Sequence, residues 1–446
     1  MNCWCLPTRW LHASEPFFRP ATMKLFFCDQ CTHPVHFENT TCLSCGATLA
    51  FLPRHGRIAA LAQTPDGDWA VIPPADKAAP EHDDSTVEDP APRYRLCDHY
   101  TTNSLCNWAV DAQDASSLCV SCRMSRVIPD LSRPGRAALL YQMETGKRRL
   151  LFNLMGMGLP VLNEETTLPL TFSFLEDPDD PSQPKVITGH DRGHITINLN
   201  EADDLHRHRS QEEMGESYRT VLGHFRHEIG HYYWDLLIAP TDPNPPEPPP
   251  EQTPAGSATA AGSTPPDAPG TEPTDAAAPD EPTRQRSETT ADGLALIERF
   301  RTIFGDERAD YGEALKRHYE NPREDWSESF ISKYASSHPW EDWAETWAHY
   351  MHMYALLETS DDLALHLPQV VPLDTPLPIA MPRARDGSFD DLIRRWAAVS
   401  FSMNALSRSL GHPDPYPFAI PPAALEKMRF VHEVIKASQI SRPGWN

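Results

Sequence analysis

The sequence predicts an α+β fold in which small cysteine-rich modules precede a mainly helical core extended by C-terminal helices. Three observations predict it. Eight of the ten cysteines fall in two clusters before residue 123, long helical patterns fill the second half, and strand-like alternation is confined to short stretches. A chain of 446 residues is long enough to bury a substantial core in two or three domains.

Along the chain, residues 1–22 read as a tail that fits nothing downstream, and Cys3 and Cys5 within it have no visible partners. Residues 23–52 are one short, strand-like, Cys-rich module. Residues 53–126 hold a linker, rich in Pro and Asp over 73–92, and a second Cys-rich module. Residues 127–446 follow the pattern of one globular unit. From Ala239 to Gly293 that unit is interrupted by a segment with 14 prolines and no Val, Ile, Leu, Met, Phe, Trp, Tyr or Cys. A segment with nothing to bury is expected to be a disordered insertion. The flank at 294–319 and residues 340–358, 388–410 and 422–438 read as helices.

The balance of 39 Lys plus Arg against 63 Asp plus Glu gives a formal charge of −24. That argues against nucleic acid, whose binding rests on cations neutralising phosphates, and against anionic lipid. There is no run of 18 apolar residues and no apolar signal core at the N-terminus, so neither a membrane span nor a secretory signal is expected. The expected compartment is the reducing cytoplasm, where cysteines read as metal ligands before disulfides.

Cys28-x2-Cys31 and Cys42-x2-Cys45 are two knuckles ten residues apart, and Gly46 suits the tight turn after the last. Four thiolates on adjacent hairpins converge tetrahedrally, the geometry of structural zinc. Rubredoxin-like iron and a redox pair are the other chemistries such a set serves. The second set, Cys97-x8-Cys106-x12-Cys119-x2-Cys122, contains one CxxC only. It reads as a second zinc site in which His99 could replace a thiolate, with ordinary buried cysteines as the alternative.

Residues 227–231 read His-Glu-Ile-Gly-His. On a helix advancing about 100° per residue, His231 falls about 40° from His227, His224 about 60° and Glu228 about 100°. Leu222, Phe225, Ile229, Tyr233 and Leu236 gather at about 160–240°, the opposite face. Such a helix presents two imidazoles one turn apart, with a carboxylate beside them to take a proton from a bound water. The position six residues after His231 is Leu237, so a third ligand must come from another helix. In the segment 340–349, Glu341 and Glu345 lie four apart, with His349 and His352 continuing their stripe and Trp343, Trp347, Tyr350 and Tyr354 opposite. One carboxylate could bind the metal and the other orient a ligating imidazole. The bland alternative is a solvated acidic face.

These residues resemble the gluzincin metallopeptidases, whose second helix carries ExxxD or ExxxE. The chain is similar to a bacterial family that joins a zinc ribbon to a zinc-binding metallopeptidase. The match is carried by FFCDQC, CLSCG, IPDLS, GHITINL, YRTVLGHFRHEIGHYYWD, FGDERADY, HPWEDWAETWAHYMH and EKMRFVH. The resemblance implies a zincin-like catalytic core, Zn2+ at one catalytic and one or two structural sites, and a protein or peptide substrate. It assigns His227, His231 and Glu341 to the catalytic zinc, Glu345 to orienting a ligand imidazole, and Glu228 to the general base. The catalytic motif is also similar to that of anthrax lethal factor, where a tyrosine seven residues before the ligand glutamate stabilises the oxyanion. Tyr334 holds that spacing, although a tyrosine there could equally be core. Residues Gly193–Leu199 alternate like a strand and are expected at the sheet edge, where a substrate backbone could pair, or as a plain sheet strand. His190, His194, His224, His349 and His352 could lie beside the site.

The resulting expectation is a cytoplasmic zinc metallopeptidase. Two competing readings are an adaptor that keeps the catalytic scaffold, and a latent protease acting as a toxin or defence effector. An intact Glu228 argues against the adaptor, which has no need of it.

Overall fold

Short strands around the cysteines begin the fold. In the computed structural model, the described residues are 25–73, 92–180, 182–203, 220–239, 295–365, 382–442 and 445. The tail at 1–22, most of the 73–92 linker and, beyond Ala239, the insertion at 239–293 lie outside them. Strands β1 (Phe26–Phe27) and β2 (Pro34–Val35) pair as a hairpin that carries the first knuckle. Strands β3 (Thr48–Leu52), β4 (Arg57–Gln63), β5 (Trp69–Val71), β6 (Tyr94–Leu96) and β7 (Ala109–Asp111) then form one antiparallel sheet in that order. The sheet runs through both cysteine stretches. The boundary drawn at 52/53 falls between paired strands, with Leu52 opposite Arg57. Asp29 fastens the first knuckle to β4 by accepting two hydrogen bonds from Arg57 Nη1 at 3.0 and 2.8 Å.

Two single-turn helices, α1 (Asp98–Thr101) and α2 (Val120–Arg123), carry cysteines of the second set at their starts and in α2 itself. Beyond them, β8 (Ser125–Val127), β9 (Thr171–Leu175), β10 (Gly189–Asp191) and β11 (His194–Asn198) make a second sheet, ordered β10-β11-β9-β8. Strand β9 is parallel to both neighbours, and β10 is antiparallel to β11. Of the two readings of Gly193–Leu199, the structure bears out the plain sheet strand. The Arg192-Gly193 turn folds β10 back over β11, so β11 is internal and the edge strand is β10.

Helix α3 (Arg136–Gly156) joins the two halves. On one side Phe152 meets Phe26, Phe37 and Phe51 of the first Cys-rich module at ring separations of 6.0, 5.1 and 5.6 Å. Trp445 closes this cluster from the C-terminus, its indole N–H donating to the Pro53 carbonyl at 2.7 Å. On the other side α3 packs on α4 (Val221–Tyr233), where Gly146 leaves room for the Phe225 ring and Val221. The helical part continues with α5 (Leu296–Phe304), α6 (Tyr311–Glu320), α7 (Pro339–Asp362), α8 (Phe389–Ser409) and α9 (Pro422–Ala437). The helical stretch expected at 294–319 is two helices, broken at Gly305, which has φ +106°. Helix α7 is buried on nearly all sides, with Trp343, Trp347 and Tyr350 fully inside. Each such aromatic contributes roughly 1.5–3 kcal/mol by leaving water. No helix among the described residues is long and apolar enough to cross a membrane.

Candidate metal centres

Among the described residues, two of three candidate centres are made of sulfur. Cys28, Cys31, Cys42 and Cys45 bring their Sγ atoms within 4.8 Å of one another, as do Cys97, Cys106, Cys119 and Cys122. Sγ separations are 3.7 Å for Cys28–Cys45 and 3.6 Å for both Cys31–Cys42 and Cys106–Cys119. A disulfide requires about 2.05 Å, so these are free thiols. The edge of a tetrahedron of sulfurs around zinc at about 2.3 Å is about 3.8 Å. Both clusters fit that ion. Gly46, at φ +76°, donates its N–H to the Cys42 carbonyl at 2.8 Å and closes the knuckle. Beneath the second cluster lies a group that sequence reasoning missed, the buried guanidinium of Arg148 on α3. Burial opposes its charge, but Cys106 and Glu144, then Cys122 and Cys119, override burial and raise its pKa. Its Nη1 donates to the Leu105 carbonyl at 2.6 Å.

The third centre lies between α4 and α7. Thr220 caps α4 by accepting from the Gly223 N–H at 2.9 Å. Pro339 stands at the start of α7, and His338 caps it through Nδ1, which accepts from the Trp340 N–H at 3.1 Å. The two helices approach closely at Gly230, whose carbonyl accepts from Trp343 Nε1 at 2.8 Å. A Cβ there would stand 2.9 Å from Ala344 Cα. This approach brings Glu341 to the histidines. Nε2 of His227 lies 3.2 Å from Nε2 of His231, and Glu341 Oε2 lies 3.1 Å from the first and 3.5 Å from the second.

For ligands about 2.0–2.1 Å from zinc, tetrahedral geometry sets ligand–ligand distances of about 3.3–3.4 Å. The triangle fits. A second observation points the same way: Glu341 Oε2 is buried and accepts no hydrogen bond. Electrostatics agree. Burial opposes charge on both groups, yet Glu341 and Glu345 hold His227 well above 6.5, while His231 and His227 hold Glu341 well below 4.5. A dication can take the place of the protons this cluster would otherwise gather.

Around the triangle, Glu345 Oε1 lies 2.7 Å from His227 Nδ1, and its Oε2 accepts from Ser332 Oγ at 2.6 Å. Burial raises the Glu345 pKa, but the hydrogen bond and charge of His227 outweigh it and bring it down to about 2. Glu228 is buried, and burial pushes its carboxyl up despite the neighbouring His227 and His231. The Tyr334 ring lies 5.9 Å from that of His227, and burial, then Glu341, raises its phenol so that it keeps its proton. The acidic stripe of α7 is therefore no solvated face, because Glu341 and Asp342 are both buried. Asp342 turns away and meets Lys427 Nζ at 2.6 Å.

The flanking histidines divide. His190, on edge strand β10, is buried 6.4 Å from the His231 ring, and its Nε2 accepts from the Gly193 N–H at 2.9 Å. Burial, with His231 and His194 nearby, pushes it down to about 3. His194 pairs with Thr171 through Nδ1 at 2.8 Å. His224 pairs with Glu201, His352 with Arg226, and His349 with the Tyr416 hydroxyl at 2.7 Å. None of these four joins the triangle. Sequence reasoning also missed Tyr311, whose hydroxyl donates to Glu341 Oε1 at 2.6 Å. No periodicity links it to Glu341, and only its place at the end of FGDERADY marked it.

Residues 25–133 match a family described as a zinc-ribbon domain, and residues 137–246 and 287–434 match one described as "putative zinc-binding metallo-peptidase". The chain is 34% identical over 416 residues to an uncharacterized protein of Mycobacterium bovis, covering 93% of this chain and 95% of the relative. Uncharacterized proteins of two Mycobacterium tuberculosis strains match to the same extent. No solved structure matches the chain. With its family match divided over the two helices that frame the histidine–glutamate triangle, the chain belongs to the family of "putative zinc-binding metallo-peptidases", carrying an N-terminal zinc-ribbon domain.

Proposed function

We propose that the protein is a zinc-dependent peptidase of gluzincin type that hydrolyses peptide bonds in protein or peptide substrates. The observation that carries this reading is the convergence of His227 Nε2, His231 Nε2 and Glu341 Oε2 within 4.8 Å of one another, one residue away from a buried Glu228. Those three atoms would hold zinc, and the two cysteine clusters one structural zinc each. Bound there, zinc would supply Lewis acidity, lowering the pKa of water and polarising a carbonyl.

The remaining work falls to side chains. Glu345 accepts a hydrogen bond from the Nδ1–H of His227, which fixes the tautomer and leaves Nε2 free to ligate. Glu228, its proton affinity raised by burial, takes a proton from the attacking water and returns it to the leaving amine. Tyr334 keeps its phenolic proton and donates it as a hydrogen bond to the oxygen on which charge develops. An adaptor reading gives no account of the buried Glu228.

The test compares new protein N-termini in cells producing wild type or Glu228→Gln, with zinc content measured on both purified proteins. Termini that appear only with wild type, at equal zinc content, are expected. The same set of termini from both would overturn the reading.

A further inference from the structure

The carboxylate of Glu341 uses its two oxygens differently. Oε2 faces the imidazole nitrogens of His227 and His231 at 3.1 and 3.5 Å and accepts no hydrogen bond. Oε1 accepts the hydroxyl of Tyr311 at 2.6 Å. A hydrogen bond to an ionised carboxylate is among the stronger kinds.

The phenol is held in the same frame as the glutamate. Asp310 caps α6 by accepting from the Glu313 N–H at 2.8 Å, which places Tyr311 at the first helical position. His338 Nδ1 accepts from Trp340, so its proton is on Nε2, which donates to the Ala309 carbonyl at 3.1 Å. One imidazole therefore caps the helix that carries Glu341 and grips the backbone just ahead of Tyr311. The Tyr311 ring sits 5.3 Å from His338 and 6.0 Å from Trp340. At 39% exposure, Tyr311 is not a core residue.

We propose that Tyr311 is a positioning residue that holds Glu341 as a one-oxygen zinc ligand and so keeps the fourth coordination place open. A carboxylate can bind a metal through one oxygen or two. If Oε1 swung inward, it would occupy the place that water and the substrate carbonyl need. The Tyr311 hydrogen bond holds Oε1 outward. This inference rests on the zinc-peptidase reading above.

The test is Tyr311→Phe in the full chain, which removes the hydroxyl and keeps the ring. Zinc is titrated against chromophoric chelators of graded affinity, with the cysteine-held ions as internal controls, and the unfolding of metal-free protein is followed separately. The affinity of the histidine-held ion should fall about 10- to 100-fold. The other ions and the metal-free unfolding should be unchanged. Glu341→Ala, which removes the carboxylate itself, is the reference for loss of that ion. If Glu341→Ala releases the ion while Tyr311→Phe binds it like wild type, the inference is wrong and the metal centre stands. Loss of metal-free stability with zinc affinity intact would mark a packing role and also overturn it. If neither variant alters a histidine-held ion, the metal-centre reading fails, and the inference fails with it.

Discussion

Gly230 sits inside the His227–His231 motif, between Ile229 and His231, at the point where α4 and α7 touch. Substituting it with alanine sets two effects against each other. Alanine inside a helix is favoured over glycine by about 1 kcal/mol. Its methyl would stand 2.9 Å from Ala344 Cα, 3.2 Å from Trp347 Cβ and 3.3 Å from the Ala344 carbonyl oxygen. Carbon atoms in contact normally lie about 3.5–4.0 Å apart, so α7 must retreat by about 0.6 Å or more. Both near atoms of Ala344 are backbone, which has no rotamer to escape into. Overpacking of this kind costs about 1–3 kcal/mol, leaving a net loss of about 1 kcal/mol after the helix gain. The effect on metal is larger. A metal site tolerates about ±0.2 Å in ligand distance, so the retreat carries Glu341 well outside that tolerance. Gly230→Ala should lower the affinity of the histidine-held zinc at least tenfold, while the cysteine-held ions stay. Denaturant unfolding of metal-free protein and chelator competition on the full chain measure the two effects. A variant stabilised by the full helix propensity, with unchanged zinc affinity, would refute the close approach as the cause of the site's geometry.

Glu341→Ala should remove the histidine-held zinc altogether, whereas Glu345→Gln should weaken it about 10- to 100-fold, as read by zinc content after dialysis against a chelator. The reverse ranking would exchange the roles of the two carboxylates. Arg148→Met removes the buried cation beneath the second cysteine cluster and, with zinc held there by thiolates, should cost about 3–5 kcal/mol of stability, since it leaves buried negative charge uncompensated. That cluster should also lose its zinc before the first one does. Away from the metals, Arg442 and the Leu162 and Val161 N–H groups overcome burial and hold the Glu165 pKa below 4.5. A depressed carboxylate stabilises fully above its unfolded pKa and loses that contribution as pH falls through the folded one. Glu165→Gln should therefore cost about 1.5–3 kcal/mol near pH 7, and the difference from wild type should shrink as pH falls below 4.5.

The parts of this fold that can be read in the sequence are those set by short-range spacing. The two CxxC knuckles, the imidazoles four residues apart and the Glu341/Glu345 stripe are local patterns, and the backbone geometry of a turn or helix places them. What stayed hidden depends on contacts distant in sequence. Tyr311 reaches Glu341 across 30 residues and Arg148 reaches Leu105 across 43, with no period to connect them. The continuity of the five-stranded sheet across both cysteine stretches was obscured because metal-ligand spacing divides the chain where hydrogen bonding does not. The choice between an edge and an internal place for β11 was open for a similar reason. Alternation in β11 identifies a strand but is silent about whether a neighbour covers it, and β10 is only three residues long. His349 and His352 lie on the expected helix but pair with Tyr416 and Arg226, because α7 is buried all round and its stripe meets several partners.

The proposed metal centre is tested most directly by anomalous diffraction at the zinc edge from crystals of the zinc-replete 446-residue chain. Three peaks are expected. Two lie within the cysteine clusters, and the third lies about 2.0–2.1 Å from His227 Nε2, His231 Nε2 and Glu341 Oε2, beside Glu228. Peaks at the cysteines with none between the histidines and Glu341 would contradict it.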